Sequence, residues 1–152
     1  MRIGAELPSL GGATEWLNGG PVNREQLLGG AALVHFWSVS CGSCSEVMPT
    51  VNEWREKYSP MGLKIVGVHM PRSVADTDVE LVSEAVAEYG LKHPIAVDNQ
   101  HKITDAFENK YVPSFYIFDG EGHLRHYQAG DRGLKMVEAA LERVLGMVRP
   151  EK

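Results

Sequence analysis

The chain has 152 residues, of which 43% are hydrophobic and 23% are charged, and its formal net charge is −5. This length suits one domain, and the apolar content is large enough to form a core without disulfides or metals. The acidic balance argues against a nucleic-acid partner, which would favour a basic face, and no apolar stretch reaches the length of a signal peptide or a membrane span.

The first 30 residues are rich in Gly, Pro and Asn, which predicts turns between short elements. Within them we expect a small strand at residues 16–17 and a strand or one short helix over residues 22–28. The first strong element is Leu33–Trp37, a compact apolar run typical of a strand that is buried on both faces.

A helix is predicted to follow from about Cys41 to Tyr58. Pro49 lies inside this helix and should kink it. Apolar side chains recur at helical spacing and form one stripe. The members of the stripe are Val47, Val51, Trp54 and Tyr58.

Further elements alternate along the next 60 residues. A buried strand is expected at Lys64–Met70, and a helix should open with a capping box at Thr77 and end at Gly90. A third strand at Pro94–Asp98 precedes a short helix, and a fourth strand spans Ser114–Phe118.

The chain is predicted to close with a hairpin and a helix. The turn Asp119–Gly122 joins the fourth strand to His123–Gln128, which indicates an antiparallel pair. The last helix should run from about Gly133 to Val148. Three strand–helix units followed by a hairpin and a helix predict an α/β fold, with a mixed central sheet and helices on both faces.

Two cysteines, Cys41 and Cys44, are the only ones in the chain, and they lie three positions apart. Such a pair closes almost no loop, so it would contribute little as a structural staple. Cys41 falls where the buried strand ends and the helix begins, and helix N-termini lower a thiol pKa from near 8.5 to about 3.5–7.5. We therefore predict Cys41 as the exposed nucleophile and Cys44, one turn further in and more shielded, as the resolving cysteine.

Two other interpretations of the cysteine pair are open, half of a zinc site or an inert pair. Zinc usually takes four ligands, but the sequence has no second cysteine pair and no HxxxH spacing among its six histidines. A CxxC motif between a strand and a helix favours redox chemistry. We expect no metal and no cofactor.

Deprotonation of Cys44 would be helped by a nearby base, and His35 and Glu46 are the candidates. His35 could equally be a core histidine, Glu46 could only complement the helix dipole, and water could serve instead. His69 closes a strand near the edge of the sheet where α/β sites gather, so it could contact substrate. The other histidines are predicted to be surface residues: His93, His101, His123 and His126.

Four motifs carry a family resemblance, namely Phe36–Cys44, Met48–Pro49, Gly67–Met70 and Tyr111–Pro113. They resemble the ResA/TlpA group of thioredoxin-like thiol–disulfide oxidoreductases. Within that group the chain is most similar to the YkuV-like proteins, on three further stretches and over nearly its whole length. Those stretches are Val68–Ser73, Thr104–Asn109 and Leu124–Gly130.

The resemblance implies a thioredoxin fold over residues 1–152 as a single domain, with an N-terminal extension and the group's insert at residues 71–97. Trp37 would pack against the active site. Pro113 would form a cis-proline facing the CxxC motif, whereas chain order alone equally allows a trans-proline that opens a strand. A cis bond would expose the backbone of Val112, which could pair with an extended substrate.

Three departures from the family patterns concern the site. Thioredoxin has a buried aspartate where this chain has His35, and ResA has a glutamate where this chain has Val47. Thioredoxin has Gly-Pro between its cysteines, and here the dipeptide is Gly42-Ser43. Because the dipeptide tunes the redox poise, the reduction potential of the family does not transfer to this chain.

The function implied by the resemblance is a cytoplasmic, monomeric exchanger that reduces protein disulfides. Its partners would be disulfide-bearing client proteins and a dithiol reductant protein. Two alternatives stay open: a non-enzymatic binding module, for which the cysteines would be dispensable, and a peroxide reductase. Peroxidases on this fold have a Thr where Ser38 stands and a Pro where Val34 stands.

Overall fold

A six-stranded mixed sheet runs through the structure, a computed structural model that describes residues 1–146. Its strands are β1 (Glu15–Leu17), β2 (Ala32–Trp37), β3 (Lys64–His69), β4 (Ile95–Val97), β5 (Ser114–Phe118) and β6 (Leu124–Ala129). The α-helices are α1 (Gly42–Tyr58), α2 (Val79–Glu88), α3 (Lys102–Phe107) and α4 (Leu134–Val144). Short 3-10 helices occur at Arg24–Leu27, Ser59–Met61 and Val74–Thr77.

The strands lie in the order β1, β4, β3, β2, β5, β6. Strand β3 is parallel to both β2 and β4, whereas β5 is antiparallel to β2 and to β6, and β1 is antiparallel to β4. The predicted mixed sheet and closing hairpin are therefore confirmed. This order places β2 in the centre, so the residues that follow it leave from the middle of the sheet.

Helices α1, α2 and α4 cover one face of the sheet. The predicted apolar stripe of α1 is buried along its whole length, and it packs with α4 against Leu33 of β2 and Phe115 of β5. Helix α2 packs further along the same face, in the cluster that contains Trp37 and both cysteines. Leu33 and Trp37 of β2 lie on the same face because every second side chain of a strand points to the same side of the sheet.

The opposite face is covered by α3 and by the N-terminal segment. Phe107 of α3 packs on Phe36 of β2 and Tyr116 of β5, and Leu7 and Leu10 complete this second core. Helices on both faces were predicted from the order of the elements, and the structure confirms them. No helix in the described part of the chain is long and apolar enough to cross a membrane.

One local prediction is wrong, and another lies outside the described residues. Helix α2 begins with Asp78 as its N-cap, whose side chain accepts a hydrogen bond from the backbone N–H of Glu80, so no capping box forms at Thr77. The Thr77 hydroxyl instead donates to the carbonyl of Val74 in the preceding 3-10 helix. The predicted end of the last helix, Val148, lies outside the described residues.

A glycine is required at one position of the sheet by close packing. Gly67 in β3 lies opposite His35 of β2. A Cβ atom at position 67 would lie 2.7 Å from Ile95 Cδ1 and 2.9 Å from His35 Nε2. Both distances are shorter than van der Waals contact, so even an alanine would force its neighbours to move.

Candidate active site

The two cysteines form a disulfide at the point where β2 leads into α1. Cys41 is the N-cap of the helix and has an extended backbone, as is usual for a residue in this position. The backbone N–H of Cys44 donates to Cys41 Sγ over 3.1 Å. In the reduced protein the same N–H would favour the anionic form of the Cys41 sulfur, together with the positive end of the helix dipole.

Cys44 is more buried than Cys41, as predicted, but Cys41 is much less exposed than expected. Cys44 is fully buried, and Cys41 is only 6% exposed in this oxidised state. The expected open exposure of Cys41 is therefore wrong for the disulfide form. The cause is packing, because Val39 and Val112 are partly buried against the cluster that contains both cysteines.

Trp37 is fully buried at the end of β2 and belongs to the same apolar cluster as Cys41 and Cys44. Its ring lies edge-on to the rings of His69, at a centroid distance of 4.9 Å, and of Tyr89, at 6.1 Å. The structure therefore places this tryptophan in the apolar cluster that surrounds the disulfide.

The loop before β5 also lies close to the disulfide. The Val112–Pro113 peptide bond is cis, and the carbonyl oxygen of Val112 lies 3.7 Å from Cys41 Sγ. Val112 is partly exposed. The structure thus brings three further residues singled out in the sequence to the Cys41–Cys44 disulfide: Trp37, Val112 and Pro113.

His35 pairs with another histidine and forms no hydrogen bond with either cysteine. Its Nε2 lies 2.8 Å from Nε2 of His93. Arg55 Nη1, which can only donate, lies 3.4 Å from His93 Nδ1. We therefore assign the shared proton of the pair to His93, which donates it to His35. Burial lowers the pKa of His35 to about 3, so it stays neutral and is a weak base.

The surface location predicted for His93 is wrong, because only 5% of this residue is exposed. Burial lowers its pKa well below the ordinary value, and the nearby His35 and Arg55 lower it further. The partners of this pair are 58 positions apart, so their contact left no local pattern in the sequence.

Glu46 lies outside the first turn of α1, on its exposed side. It forms no hydrogen bond or ion pair to another side chain among residues 1–146. The structure therefore gives this glutamate neither a contact with Cys44 nor the place in the first turn that a dipole partner needs.

His69, predicted as a possible substrate contact, is fully buried and holds the loop before Cys41 instead. Its Nε2 accepts a hydrogen bond of 3.1 Å from the backbone N–H of Val39. Burial lowers the pKa of His69 to about 4, although the charge of Asp76 opposes this shift. A buried and neutral imidazole in this position supports the loop and offers no surface to a client.

Asp76 was missed by the sequence analysis. Its Oδ2 accepts hydrogen bonds from the hydroxyls of Ser38 (2.8 Å) and Ser40 (2.7 Å), and from the backbone N–H of Arg72 (2.9 Å). A possible signal was Ser38 at the end of the buried strand, since a buried hydroxyl needs an acceptor. The acceptor itself lies 36 positions beyond Ser40 and has no motif of its own.

One group of side chains among residues 1–146 is close enough to share a metal ion, Asp119, Glu121 and His123 in the turn between β5 and β6. Asp119 is already bonded to the guanidinium of Arg125 over 2.6 Å. This group does not include either cysteine.

Comparison with known proteins gives consistent matches over nearly the whole chain. The Redoxin family model matches residues 3–145. The chain is 51% identical over 146 residues to the thiol-disulfide oxidoreductase YkuV of Bacillus subtilis (strain 168), covering 95% of this chain and 97% of that protein. It is 28% identical over 144 residues to the thiol-disulfide oxidoreductase ResA of Bacillus anthracis, covering 95% and 79%.

A solved structure agrees with these sequence matches. The solution structure of a thioredoxin-like protein in the oxidised form superposes with a TM-score of 0.88 at 50% identity, covering 98% of this chain and all of the other. The fold inferred from the motifs, a thioredoxin-like sheet with helices on both faces, is confirmed.

Proposed function

This chain belongs to the Redoxin family and is a thiol–disulfide oxidoreductase, and from that premise we propose that it reduces disulfide bonds of client proteins in the cytoplasm. The observation that carries the proposal is the N-cap position of Cys41, whose sulfur receives the backbone N–H of Cys44. A cytoplasmic location is supported by the number of cysteines, because both belong to the redox pair and none is left for structural disulfides.

The proposed reaction is two successive thiol–disulfide exchanges. In the reduced enzyme the Cys41 thiolate attacks one sulfur of the client disulfide, which forms a mixed disulfide and releases one client thiolate. Cys44 then loses its proton and attacks Cys41 Sγ, which forms the Cys41–Cys44 disulfide and releases the second client thiolate. Protons from solvent neutralise the thiolates, and two electrons have passed from the enzyme to the client.

The Val112 carbonyl is the proposed docking point for the client backbone. It lies beside Cys41 Sγ, so a client strand that donates an N–H to this carbonyl would bring its own disulfide to the reacting sulfur. Main-chain pairing of this kind is tolerant of client sequence, because it does not use the client side chains.

Return to the reduced state requires two electrons from a second protein that carries a dithiol. The same exchange chemistry in the reverse direction reduces the Cys41–Cys44 disulfide and leaves the partner oxidised. We propose that the enzyme acts as a monomer and binds client and reductant in turn at the same face, since both must reach Cys41.

The direct test is the reduction of insulin by dithiothreitol, followed by the turbidity of the precipitating chains. Wild-type protein should accelerate precipitation, and Cys41→Ser should return the rate to that of dithiothreitol alone. Ser83→Ala is the matched control, since Ser83 is an exposed serine of α2 outside the CxxC motif and the change keeps both sulfurs. Equal rates for Cys41→Ser and wild type would refute the proposal.

A second measurement identifies the clients. Cys44→Ala keeps the attacking sulfur and removes the resolving one, so mixed disulfides should accumulate and appear as higher bands on non-reducing gels of a cytoplasmic extract. The bands should vanish with dithiothreitol and be missing for the double variant lacking both cysteines. An extract that yields no such bands would favour a binding module over an exchange enzyme.

A further inference from the structure

A buried carboxylate anchors the loop that delivers Cys41 to the helix. Asp76 is only 3% exposed, and it accepts hydrogen bonds from the side chains of Ser38 and Ser40 and from the backbone of Arg72. We call these four residues the Asp76 cluster. Burial acts to raise the pKa of Asp76, but the hydrogen bonds from Arg72, Ser40 and Ser38 outweigh it and lower the pKa below the ordinary value. The carboxylate is therefore ionised at neutral pH.

The loop over residues 38–40 is held at every residue. The Ser38 carbonyl accepts the backbone N–H of Cys41 over 3.1 Å. Val39 donates its N–H to His69 Nε2. The Ser40 carbonyl accepts a hydrogen bond of 2.8 Å from Arg72 Nη2. His69 lies at the end of β3 and Arg72 lies in the segment that follows it. The position of the first cysteine is therefore set by residues that are distant from it in the chain.

The charges at this loop are opposite in sign and differ in burial. The Asp76 carboxylate is buried, whereas the guanidinium of Arg72 is largely exposed. Both contact Ser40, the residue directly before Cys41. A buried charge acts over a lower effective dielectric than an exposed one, so the carboxylate should dominate the local potential. His69, the other titratable group at the loop, stays neutral because burial lowers its pKa to about 4.

We propose that Asp76 is a positioning residue that fixes the loop before Cys41 and restrains the acidity of the Cys41 thiol through its buried negative charge. A nearby anion disfavours a second anion, so the carboxylate holds the thiol pKa higher than the helix N-terminus alone would set it. It also engages the Ser38 and Ser40 hydroxyls, which are then not free to donate to the thiolate. The expected consequence is a less oxidising disulfide, as suits a reductant.

This inference rests on the proposed attack by Cys41, and it is tested by measurements that do not depend on the identity of the client. The Cys41 pKa is measured from thiolate absorbance at 240 nm, and the equilibrium constant for disulfide formation is measured against glutathione. Asp76→Asn keeps the shape of the side chain and removes its charge. Asp78→Asn is the matched control, because Asp78 is exposed, lies two residues away and makes its own bond to Glu80.

Asp76→Asn should lower the Cys41 pKa and decrease the equilibrium constant for disulfide formation about threefold to tenfold. A tenfold decrease corresponds to a potential about 30 mV less negative. Asp78→Asn should leave both quantities at their wild-type values. Asp76→Asn values equal to those of wild type would overturn the inference.

Arg72→Gln separates a charge effect from loosening of the loop, and it serves alone if Asp76→Asn does not fold. Removing the exposed cation should raise the Cys41 pKa, which is opposite in direction to the effect of Asp76→Asn. Shifts of both variants in the same direction, or a lowered Cys41 pKa in Arg72→Gln, would show that the cluster is structural only. A wild-type protein that does not accelerate insulin reduction would instead count against the proposed function, whatever the variants do.

Discussion

The side chain at position 41 has two tasks, since it caps helix α1 and supplies the sulfur that is exchanged. As the N-cap it accepts the N–H of Cys44, one of the donors that a helix leaves unpaired at its first turn. The capping bond can strengthen when the sulfur becomes a thiolate, because bonds to an ionised acceptor are stronger than bonds to a neutral one. Helix formation and thiolate formation therefore support each other at this residue.

Two substitutions separate these tasks. Cys41→Ser should abolish exchange but retain the cap, because a serine hydroxyl accepts well at the N-cap. Cys41→Ala should abolish exchange and also unfold more easily, by about 0.5–2 kcal/mol relative to Cys41→Ser. Urea unfolding at pH 7 measures the difference, and neither variant can form the disulfide, so the redox state does not confound it. Equal midpoints for the two variants would show that the cap contributes nothing.

Residue-level features were predictable where the evidence was local. Cys41 and Cys44 could be assigned to the helix start because the spacing of the cysteines and the end of the apolar run adjoin in the chain. The pair of His35 and His93 could not be predicted, because its members meet only after β2 and β4 have been aligned through β3. Asp76 was missed for the same reason, since the two serines that it binds lie 36 and 38 positions earlier.

At the level of elements, periodicity was a reliable guide and boundaries were not. The stripe on α1 extends over about three turns, and its four members are buried as predicted. The start of α2 was placed wrongly because Thr77 and Asp78 are adjacent and both are good capping residues. Sequence alone cannot choose between neighbouring caps, whereas the 3-10 helix that ends at Thr77 decides the choice in the structure.

Helix α4 provides a test of packing that is separate from the chemistry. Leu141 is fully buried in the cluster shared by α1, α4 and the sheet, which does not include the cysteines. Leu141→Ala should therefore cost about 2–5 kcal/mol of the free energy of unfolding. Met136→Ala on the exposed side of the same helix, with 58% of Met136 exposed, should change it by no more than about 0.5 kcal/mol.

Urea unfolding measures both stabilities, and insulin reduction is recorded alongside. We expect folded Leu141→Ala to retain the wild-type rate, because its cluster is separate from the one around the disulfide. A large loss of activity in the fully folded variant would show that the two clusters are coupled.

For the molecule as a whole, folding buries three histidines in their neutral form. His35, His69 and His93 are buried, and burial lowers the pKa of His35 to about 3 and of His69 to about 4, while His93 is shifted in the same direction. In the unfolded chain each would titrate near 6.5. Below that pH the unfolded state binds more protons than the folded state, so protonation favours unfolding.

Stability should therefore fall as the pH decreases from about 6.5 toward 4.5, by up to about 1.4 kcal/mol per pH unit for each buried histidine. Urea midpoints recorded at pH 7, 6 and 5 measure this dependence. His93→Gln should weaken it, whereas His126→Gln, at a partly exposed position of β6, should preserve it. A midpoint that stays constant from pH 7 to pH 5 would contradict the assignment.

The close approach at Gly67 has a consequence for how relatives of this protein can diverge. The space that a side chain would fill is already taken by the His35 ring and by Ile95. A larger residue at position 67 is therefore compatible only with a smaller one at position 35 or 95. These three positions should vary together in an alignment, and the histidine pair should occur only in sequences that keep glycine in the middle of the third strand.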